Sequence, residues 1–403
     1  MNRVLYIAHR IPYPPNKGDK IRSFNTVKHL SLSYDVDLIC LADDPADLKY
    51  KRELEEICHK VSVLPLNTLE AKIRGAFSFL TGATITEQYF YRSAFQDVFD
   101  EWTAHTTYEA IICYSSPMAE YVFKNGCLGK KNSSIRLLMD FCDVDSDKWS
   151  QYATKTNFPL NMLYKREGLR LLRYEKRVNQ LFDHSIFVSE HEAELFRTLS
   201  RTSENISVVP NGVDSDYFSC HGFETTDGAD RATLMFAGAM DYYANIEGVQ
   251  WFCHKILPDI RKRLPEVVFN IVGSNPHTSV KALSNGVSVN VTGFVEDIRP
   301  YYQEADICVI PLRIARGVQN KVLEAMSMGK AVITTSAAIQ GIKVKDGEHL
   351  LVADSSEGFS QSVVSLMNDP QKRVQLGQAA MEQVRNEYSW SENVAKFAGM
   401  VQQ

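Results

Sequence analysis

Pro311-Leu312-Arg313-Ile314-Ala315-Arg316-Gly317-Val318-Gln319-Asn320-Lys321-Val322-Leu323-Glu324-Ala325-Met326-Ser327-Met328-Gly329-Lys330-Ala331-Val332 reads as a strand ending at Pro311, a glycine-containing loop, a helix beginning near Gly317 and a return to strand at Ala331. The start of a helix leaves backbone N–H groups without intrahelical partners and carries partial positive charge, so an anion is well placed there. Lys321 and Glu324 are three residues apart and share a helix face. The cation suits phosphate oxygens and the carboxylate suits two adjacent hydroxyls. An ordinary surface pair is the competing reading. It leaves the glycine-containing helix start between Arg313 and Arg316 without a reason.

The same alternation of strand and helix extends outward through the chain. Short β-branched runs recur at Val4 to Ala8, Val36 to Leu41, Val61 to Leu64, Ala110 to Tyr114, Arg136 to Met139 and Ser185 to Val188. The pattern restarts at Thr233 to Ala237, Val267 to Val272, Val287 to Val291, Ile307 to Ile310, Ala331 to Thr335 and Leu350 to Ala353. Continuous apolar runs separated by helices are the mark of parallel strands buried on both faces, and two sets of them predict two doubly wound α/β domains. Turn-forming Pro210-Asn211-Gly212-Val213-Asp214 and the polar stretch Glu224 to Arg231 place the hinge within 205–231. The expected domains are 1–205, 206–385 and a C-terminal segment, 386–403, where Ser391 caps a helix that returns to the first domain.

Composition agrees with this reading. The 403 residues are enough for two large cores, and 44% hydrophobic with 23% charged is the balance of a globular protein rather than a disordered or coiled-coil one. The longest charge-free stretches, Val267 to Val280 and Ala282 to Val295, have 14 residues each, too few to span a bilayer. The apolar run Val4 to Ala8 is too short for a signal-peptide core, which predicts a cytoplasmic protein. Among the eight cysteines the closest pair, Cys113 and Cys127, is 14 apart, so no CxxC spacing exists. A net charge of −5 gives no reason to expect nucleic acid as the partner.

In doubly wound sheets the ligand lies beyond the carboxyl ends of the strands. After the first strand comes His9-Arg10-Ile11-Pro12-Tyr13-Pro14-Pro15-Asn16-Lys17-Gly18-Asp19-Lys20, which lacks the GxGxxG of a dinucleotide site. Gly18 opens a helix running to about Ser31, where bare backbone could approach an anion; a rigid proline-rich turn is the plainer alternative. Gly238 and Gly273 stand in the corresponding places after two strands of the second domain.

Taken with Val209-Pro210-Asn211-Gly212-Val213-Asp214 and Gly293-Phe294-Val295-Glu296-Asp297, the run Arg313 to Val332 resembles the GT-B glycosyltransferases of family 4, over essentially the whole chain. Gly317 to Met326, Ala237-Gly238-Ala239-Met240-Asp241-Tyr242 and Asp143-Val144-Asp145-Ser146-Asp147-Lys148-Trp149 are similar in particular to the sugar transferases of exosortase and exopolysaccharide systems. The resemblance implies two Rossmann-like domains facing a deep cleft, with donor nucleotide sugar on the C-terminal domain and acceptor on the N-terminal one. It implies donor contacts at Gly18, Asn211, Gly238, Gly273, Arg313, Gly317, Val318, Gln319, Asn320 and Glu324, with Glu324 on the ribose hydroxyls. It further implies retention of anomeric configuration, with the leaving diphosphate helping to take the acceptor proton.

Two departures stand out. Arg316 occupies the place of the family's first glutamate, eight residues before Glu324, and Ala239 and Asn245 replace its usual Arg and Lys. The diphosphate charge is therefore assigned to Arg313, Arg316 and Lys321, with Arg316 and Lys321 as catalytic cations. On the acceptor side the loop Asp140-Phe141-Cys142-Asp143-Val144-Asp145-Ser146-Asp147 offers only carboxylates where relatives often have a histidine. Asp143 is the first candidate to orient the acceptor hydroxyl and Asp140 the second, against a purely capping role. Asp143-Val144-Asp145 also reads as a DxD metal motif, yet the resemblance implies neutralisation by a helix terminus and cations, so no metal and no cofactor beyond the donor is expected.

The expected function is transfer of a hexose-type sugar from a nucleotide-diphosphate sugar to a glycan or lipid-linked acceptor in exopolysaccharide biosynthesis. A non-hydrolysing nucleotide-sugar epimerase and a non-catalytic nucleotide-sugar sensor are the alternatives. Two segments suit peripheral contact with the inner face of a membrane, Lys72 to Arg92 and Tyr164 to Val178, each interleaving basic with apolar residues. Core aromatics with a solvated basic face is the alternative for both.

Overall fold

The computed structural model describes residues 2–126, 135–219, 232–315 and 317–402. It divides into two compact units, Met1–Pro210 with Trp390–Gln403, and Asn211–Ser389. Unit 1 contains β1 (Arg3–Ala8), β2 (Asp35–Ala42), β3 (Lys60–Pro65), β4 (Ala110–Tyr114), β5 (Arg136–Cys142), β6 (His184–Phe187) and β7 (Ile206–Val208). They form one parallel sheet in the order β3-β2-β1-β4-β5-β6-β7. Both faces are covered, and alternation along each strand divides the apolar residues between two cores. Val4, Tyr6 and Ala8 join Val36, Leu38 and Cys40 on one side, while Leu5 and Ile7 join Ile39 and Leu41 on the other.

The centre of this sheet carries a charge. Asp140 lies inside β5 with no exposed surface, and both its oxygens accept from Arg22, at 2.8 Å from Nε and 2.9 Å from Nη2. Arg22 projects from the helix Gly18–Leu30 and also donates to the Val209 carbonyl at 2.9 Å. Asp140 was expected in a loop facing the acceptor. It is instead part of a strand that runs on to Cys142, because an arginine 118 residues away neutralises it. The chain leaves that strand through Cys142, whose φ of 64° accompanies a register shift against β6.

Two further buried carboxylates organise the helices. Glu167 and Glu175 lie on the helix Leu160–Leu181 and face inward. Glu167 accepts from the N–H groups of Ile85 and Thr86, at 2.8 and 3.0 Å, at the start of the helix Ile85–Phe90. Glu175 accepts from the Ser146 N–H at 3.0 Å and its Oγ at 2.5 Å, at the start of the helix Asp145–Lys155. Each satisfies N–H groups that a helix terminus leaves open. With the acids turned inward, Lys165, Arg173 and Arg177 are exposed beside Leu169, and Phe158 and Met162 are exposed near the helix start. In the other segment proposed for membrane contact, Tyr89, Phe90 and Tyr91 pack against the core, while the side chains of Phe77, Phe79 and Leu80 lie outside the described residues. No helix among the described residues is long and apolar enough to cross a membrane.

The helix Trp390–Gln402 belongs to unit 1. Trp390, Val394, Phe397 and Val401 enter the core that holds Val4, Tyr6 and Val209, and Phe397 lies 5.8 Å from the Arg22 guanidinium. Tyr34 donates to the Ala398 carbonyl at 3.4 Å and accepts from Gln402 at 3.2 Å.

Unit 2 repeats the plan with β8 (Thr233–Ala237), β9 (Val268–Val272), β10 (Val289–Gly293), β11 (Ile307–Ile310), β12 (Ala331–Thr334) and β13 (Leu351–Val352), parallel and ordered β10-β9-β8-β11-β12-β13. The two Rossmann-like sheets anticipated from the strand runs are both present. One strand was not anticipated: β7, only three residues long and inside the expected hinge.

Breaking the central pair by Asp140→Asn leaves a buried guanidinium without its counter-charge, a change worth about 3–5 kcal/mol. The expected result is a large drop in the denaturation midpoint of unit 1; an unchanged midpoint would refute the structural role.

Candidate functional site

In unit 2 the strand ends are shaped by glycine. Gly238 follows β8 and Gly273 follows β9, and a Cβ on Gly273 would lie 1.8 Å from the Gly238 carbonyl oxygen. A Cβ on Gly238 would lie 2.8 Å from Asn245 Nδ2. Only bare backbone lets these two turns pass each other and leaves room for the Asn245 amide, which donates to the Ala239 carbonyl at 2.8 Å.

The Asn245 carbonyl oxygen in turn accepts from Lys321 Nζ at 2.7 Å. Lys321 comes from the other side, on the helix Asn320–Ser327 after β11, and its ammonium lies 5.2 Å from the Phe236 ring centroid. Burial pulls its pKa down to about 8 against the opposing pull of Glu324. Glu324, one turn along, accepts from the Tyr302 hydroxyl at 3.1 Å. Burial raises its pKa, with Tyr302 and Lys321 acting the other way. A cation and a carboxylate thus share one helix face, each steadied by a neutral polar partner. Sequence reading had missed both partners, Asn245 as a ligand of Lys321 and Tyr302 as a ligand of Glu324; each is remote in sequence and carries no local signal.

The loop before this helix differs in detail from the expectation. The helix begins at Asn320, not near Gly317. Gly317 has φ of 60°, a left-handed turn that delays the helix, and Gln319 donates to its carbonyl at 3.2 Å. Val318 packs against the unit 2 core. Asn320 accepts from Asn211 at 3.4 Å, which brings Asn211 to the helix start. Arg313, assigned to diphosphate, is ion-paired with Glu247 and its guanidinium lies 5.2 Å from the Trp251 ring centroid. One of its terminal nitrogens is thus engaged by Glu247. Arg316 lies outside the described residues.

At the carboxyl ends of the unit 1 strands lie His9, Arg10, Asp43 and Asp143 in loops, Tyr114 as the last residue of β4 and Asp19 in the first turn of the helix Gly18–Leu30. Arg10 pairs with Asp19 at 2.8 Å and Asp43 at 3.0 Å. Tyr114 donates to the Asp19 carbonyl at 2.8 Å. Gly18 opens its helix as expected, and a side chain there would meet nothing within 4 Å. Asp143 is half-buried, and burial and then Glu192 push its pKa up to about 6 against Lys148. Asp145 is paired with Lys148 at 3.4 Å and Asp147 accepts from Gln151 at 2.9 Å. Among the described residues no group of three or more His, Cys, Asp or Glu side chains is arranged to hold a metal ion.

Residues 231–369 match the family model described as Glycosyl transferases group 1. A Klebsiella pneumoniae protein described as an uncharacterized 44.6 kDa protein in the cps region is 24% identical over 382 residues, covering 91% of both chains. A GDP-mannose-dependent alpha-(1-6)-phosphatidylinositol monomannoside mannosyltransferase of Mycolicibacterium smegmatis is 23% identical, over 56% of this chain and 64% of its own length. Among solved structures, sucrose-phosphate synthase from Thermosynechococcus elongatus superposes with a TM-score of 0.72 at 17% identity, covering 100% of this chain and 99% of its own. Anabaena Alr3699/HepE, in complex with UDP and glucose, superposes with a TM-score of 0.68 at 15% identity and full coverage of both chains. The fold is therefore GT-B, two parallel-sheet Rossmann-like domains.

The raised pKa of Asp143 fixes the sign of a pH effect. An acid whose folded pKa lies above its unfolded value binds more protons in the folded state between the two, so its contribution to stability falls as pH rises through that window, here from 3.8 to about 6. Asp143→Asn removes this penalty. Its thermal midpoint relative to the parent is expected to rise between those pH values and to level off above; a difference independent of pH would show that Asp143 is not held as described.

Proposed function

We propose that the chain is a retaining, metal-independent glycosyltransferase that moves a hexose-type sugar from a nucleotide-diphosphate sugar to a glycan or lipid-linked acceptor in bacterial cell-surface polysaccharide assembly. The observation that carries this reading is the Lys321–Glu324 face, with Asn245 and Tyr302 behind it. A carboxylate can accept from both hydroxyls of a ribose, and a buried ammonium three residues before it suits the adjacent diphosphate. The family match over 231–369 includes this face, the Klebsiella relative is described from a cps region, and the mycobacterial relative is named for a GDP-mannose donor.

In this reading unit 2 takes the donor through Asn211, Gly238, Gly273, Gly317 to Asn320 and Glu324. Lys321 and Arg316 stabilise charge as it gathers on the leaving diphosphate, where the replaced family cations at Ala239 and Asn245 cannot. Lys321 donates to the Asn245 side-chain oxygen, so the asparagine holds the ammonium in place. Unit 1 takes the acceptor, with Asp143 as the carboxylate that orients its hydroxyl. Catalysis is then mostly positioning and electrostatic stabilisation, and no metal is needed to neutralise the diphosphate.

Glu324→Ala removes charge-assisted hydrogen bonds worth about 1.5–3 kcal/mol each. Nucleoside diphosphate affinity, read by calorimetry, is expected to fall at least tenfold, and an unchanged affinity in folded protein would remove the ribose assignment. Sugar transfer from a panel of nucleotide sugars is expected to persist in excess chelator; activity lost there and restored by one divalent metal would favour the DxD reading of Asp143 and Asp145. The same panel without acceptor should yield no new nucleotide sugar, which an epimerase would make.

A further inference from the structure

The connections of the unit 1 sheet part company between β1 and β4. From β1 the chain proceeds to β2 and β3 on one side, and from β4 to β5, β6 and β7 on the other. Where connections diverge in this way, the strand ends bound a crevice in which ligands bind. In unit 2 the equivalent divergence, between β8 and β11, is bounded by Gly238 and by the loop leading to Lys321. In unit 1 Ala8 pairs with Tyr114 at the last register position, so His9 and Ser115 are the next residues out, with Ser116 one further.

Two polar side chains stand here. The Ser116 side chain is buried, 1% of the residue being exposed, and its Oγ has no hydrogen-bond partner. The His9 ring is held by the Tyr114 backbone, and its Nε2 stands 3.8 Å from Asp19 Oδ2, beyond hydrogen-bond reach. Native proteins rarely leave such a buried hydroxyl unsatisfied without a ligand, a water or strain to account for it. Ser115, between Tyr114 and Ser116, has φ of 75°, a conformation that costs a non-glycine residue energy. The His9 ring is fixed by an edge-on contact with Phe90, centroids 5.3 Å apart, and a tilted contact with Tyr114 at 5.5 Å. Polar groups beside aromatic faces match a pyranose, which presents hydroxyls at its edge and C–H groups on its face.

We propose that His9 and Ser116 form a hydroxyl-binding subsite at the β1/β4 divergence of unit 1 and hold a sugar of the acceptor. This deepens the glycosyltransferase reading and rests on it for the word acceptor. His9 is a positioning residue in this assignment: an imidazole accepts from a sugar hydroxyl through one nitrogen, while Ser116 can donate or accept. Burial lowers the His9 pKa, with Asp19 opposing, which favours the neutral ring that can accept. His9 thereby places an imidazole on the acceptor side from β1, where the loop after β5 has only carboxylates.

The experiment is a titration of the intact protein, labelled at its histidine imidazoles, with methyl α-D-glucopyranoside, methyl α-D-mannopyranoside and methyl α-D-galactopyranoside, following the His9 ring resonances. At least one glycoside should shift them saturably, and Ser116→Ala should weaken that binding about tenfold, the order of one hydrogen bond. Nucleoside diphosphate affinity should be the same in Ser116→Ala as in the parent, which a general loss of structure would not leave unchanged. His9 resonances that ignore all three glycosides, in protein that binds nucleoside diphosphate, would overturn the subsite. A saturable His9 shift in protein that binds no nucleoside diphosphate would keep the subsite and overturn the transferase reading. Parent-like glycoside affinity in Ser116→Ala would overturn the part given to Ser116.

Discussion

A guanidinium buried against the first sheet is the constraint on which unit 1 is arranged. Arg22 is 1% exposed, and burying a cation is costly unless a matched anion and further acceptors surround it. Asp140 supplies two acceptor oxygens and Val209 a third, so one side chain ties the first helix to the middle of β5 and to the end of the segment leading out of the unit. The bidentate geometry needs the planar fork of arginine, and lysine could not reproduce it. Asp140 also lies three residues before Asp143, so the pair anchors the strand from which the acidic loop departs.

The two sheets furnish their carboxyl ends in opposite ways. In unit 2 two glycines remove side chains so that backbone turns can pass closely, and the space is bordered by Asn245 and Lys321. In unit 1 the same level is crowded with side chains, His9, Arg10, Asp19 and Tyr114, whose charges are largely matched among themselves. An edge of bare backbone bordered by a buried ammonium suits a diphosphate. An edge of matched charges and aromatic rings suits a neutral, hydroxylated molecule.

Strand runs were legible in the sequence because strands covered on both faces are apolar throughout, and that property needs no knowledge of partners. The Lys321–Glu324 face was legible for a similar reason, since helix periodicity alone places residues three apart together. Asp140 was misplaced because a carboxylate in an apolar run normally ends a strand, and nothing near it announces Arg22. Arg313 looked available for phosphate because Glu247 is 66 residues away. β7 went unnoticed because three residues in a turn-rich stretch carry too little periodicity to register. For Asp140 and Arg313 the missing fact was a pairing between distant positions, which the order of residues does not encode locally.

The helix Trp390–Gln402 has a consequence for how the protein is made. Unit 2 is continuous in sequence, from Asn211 to Ser389, whereas unit 1 is assembled from both sides of it. During synthesis from the N-terminus, all of unit 2 leaves the ribosome before the helix that brings Trp390, Val394, Phe397 and Val401 into the unit 1 core. The first sheet must wait with that part of its apolar surface uncovered, and its final closure joins segments separated by the whole of unit 2.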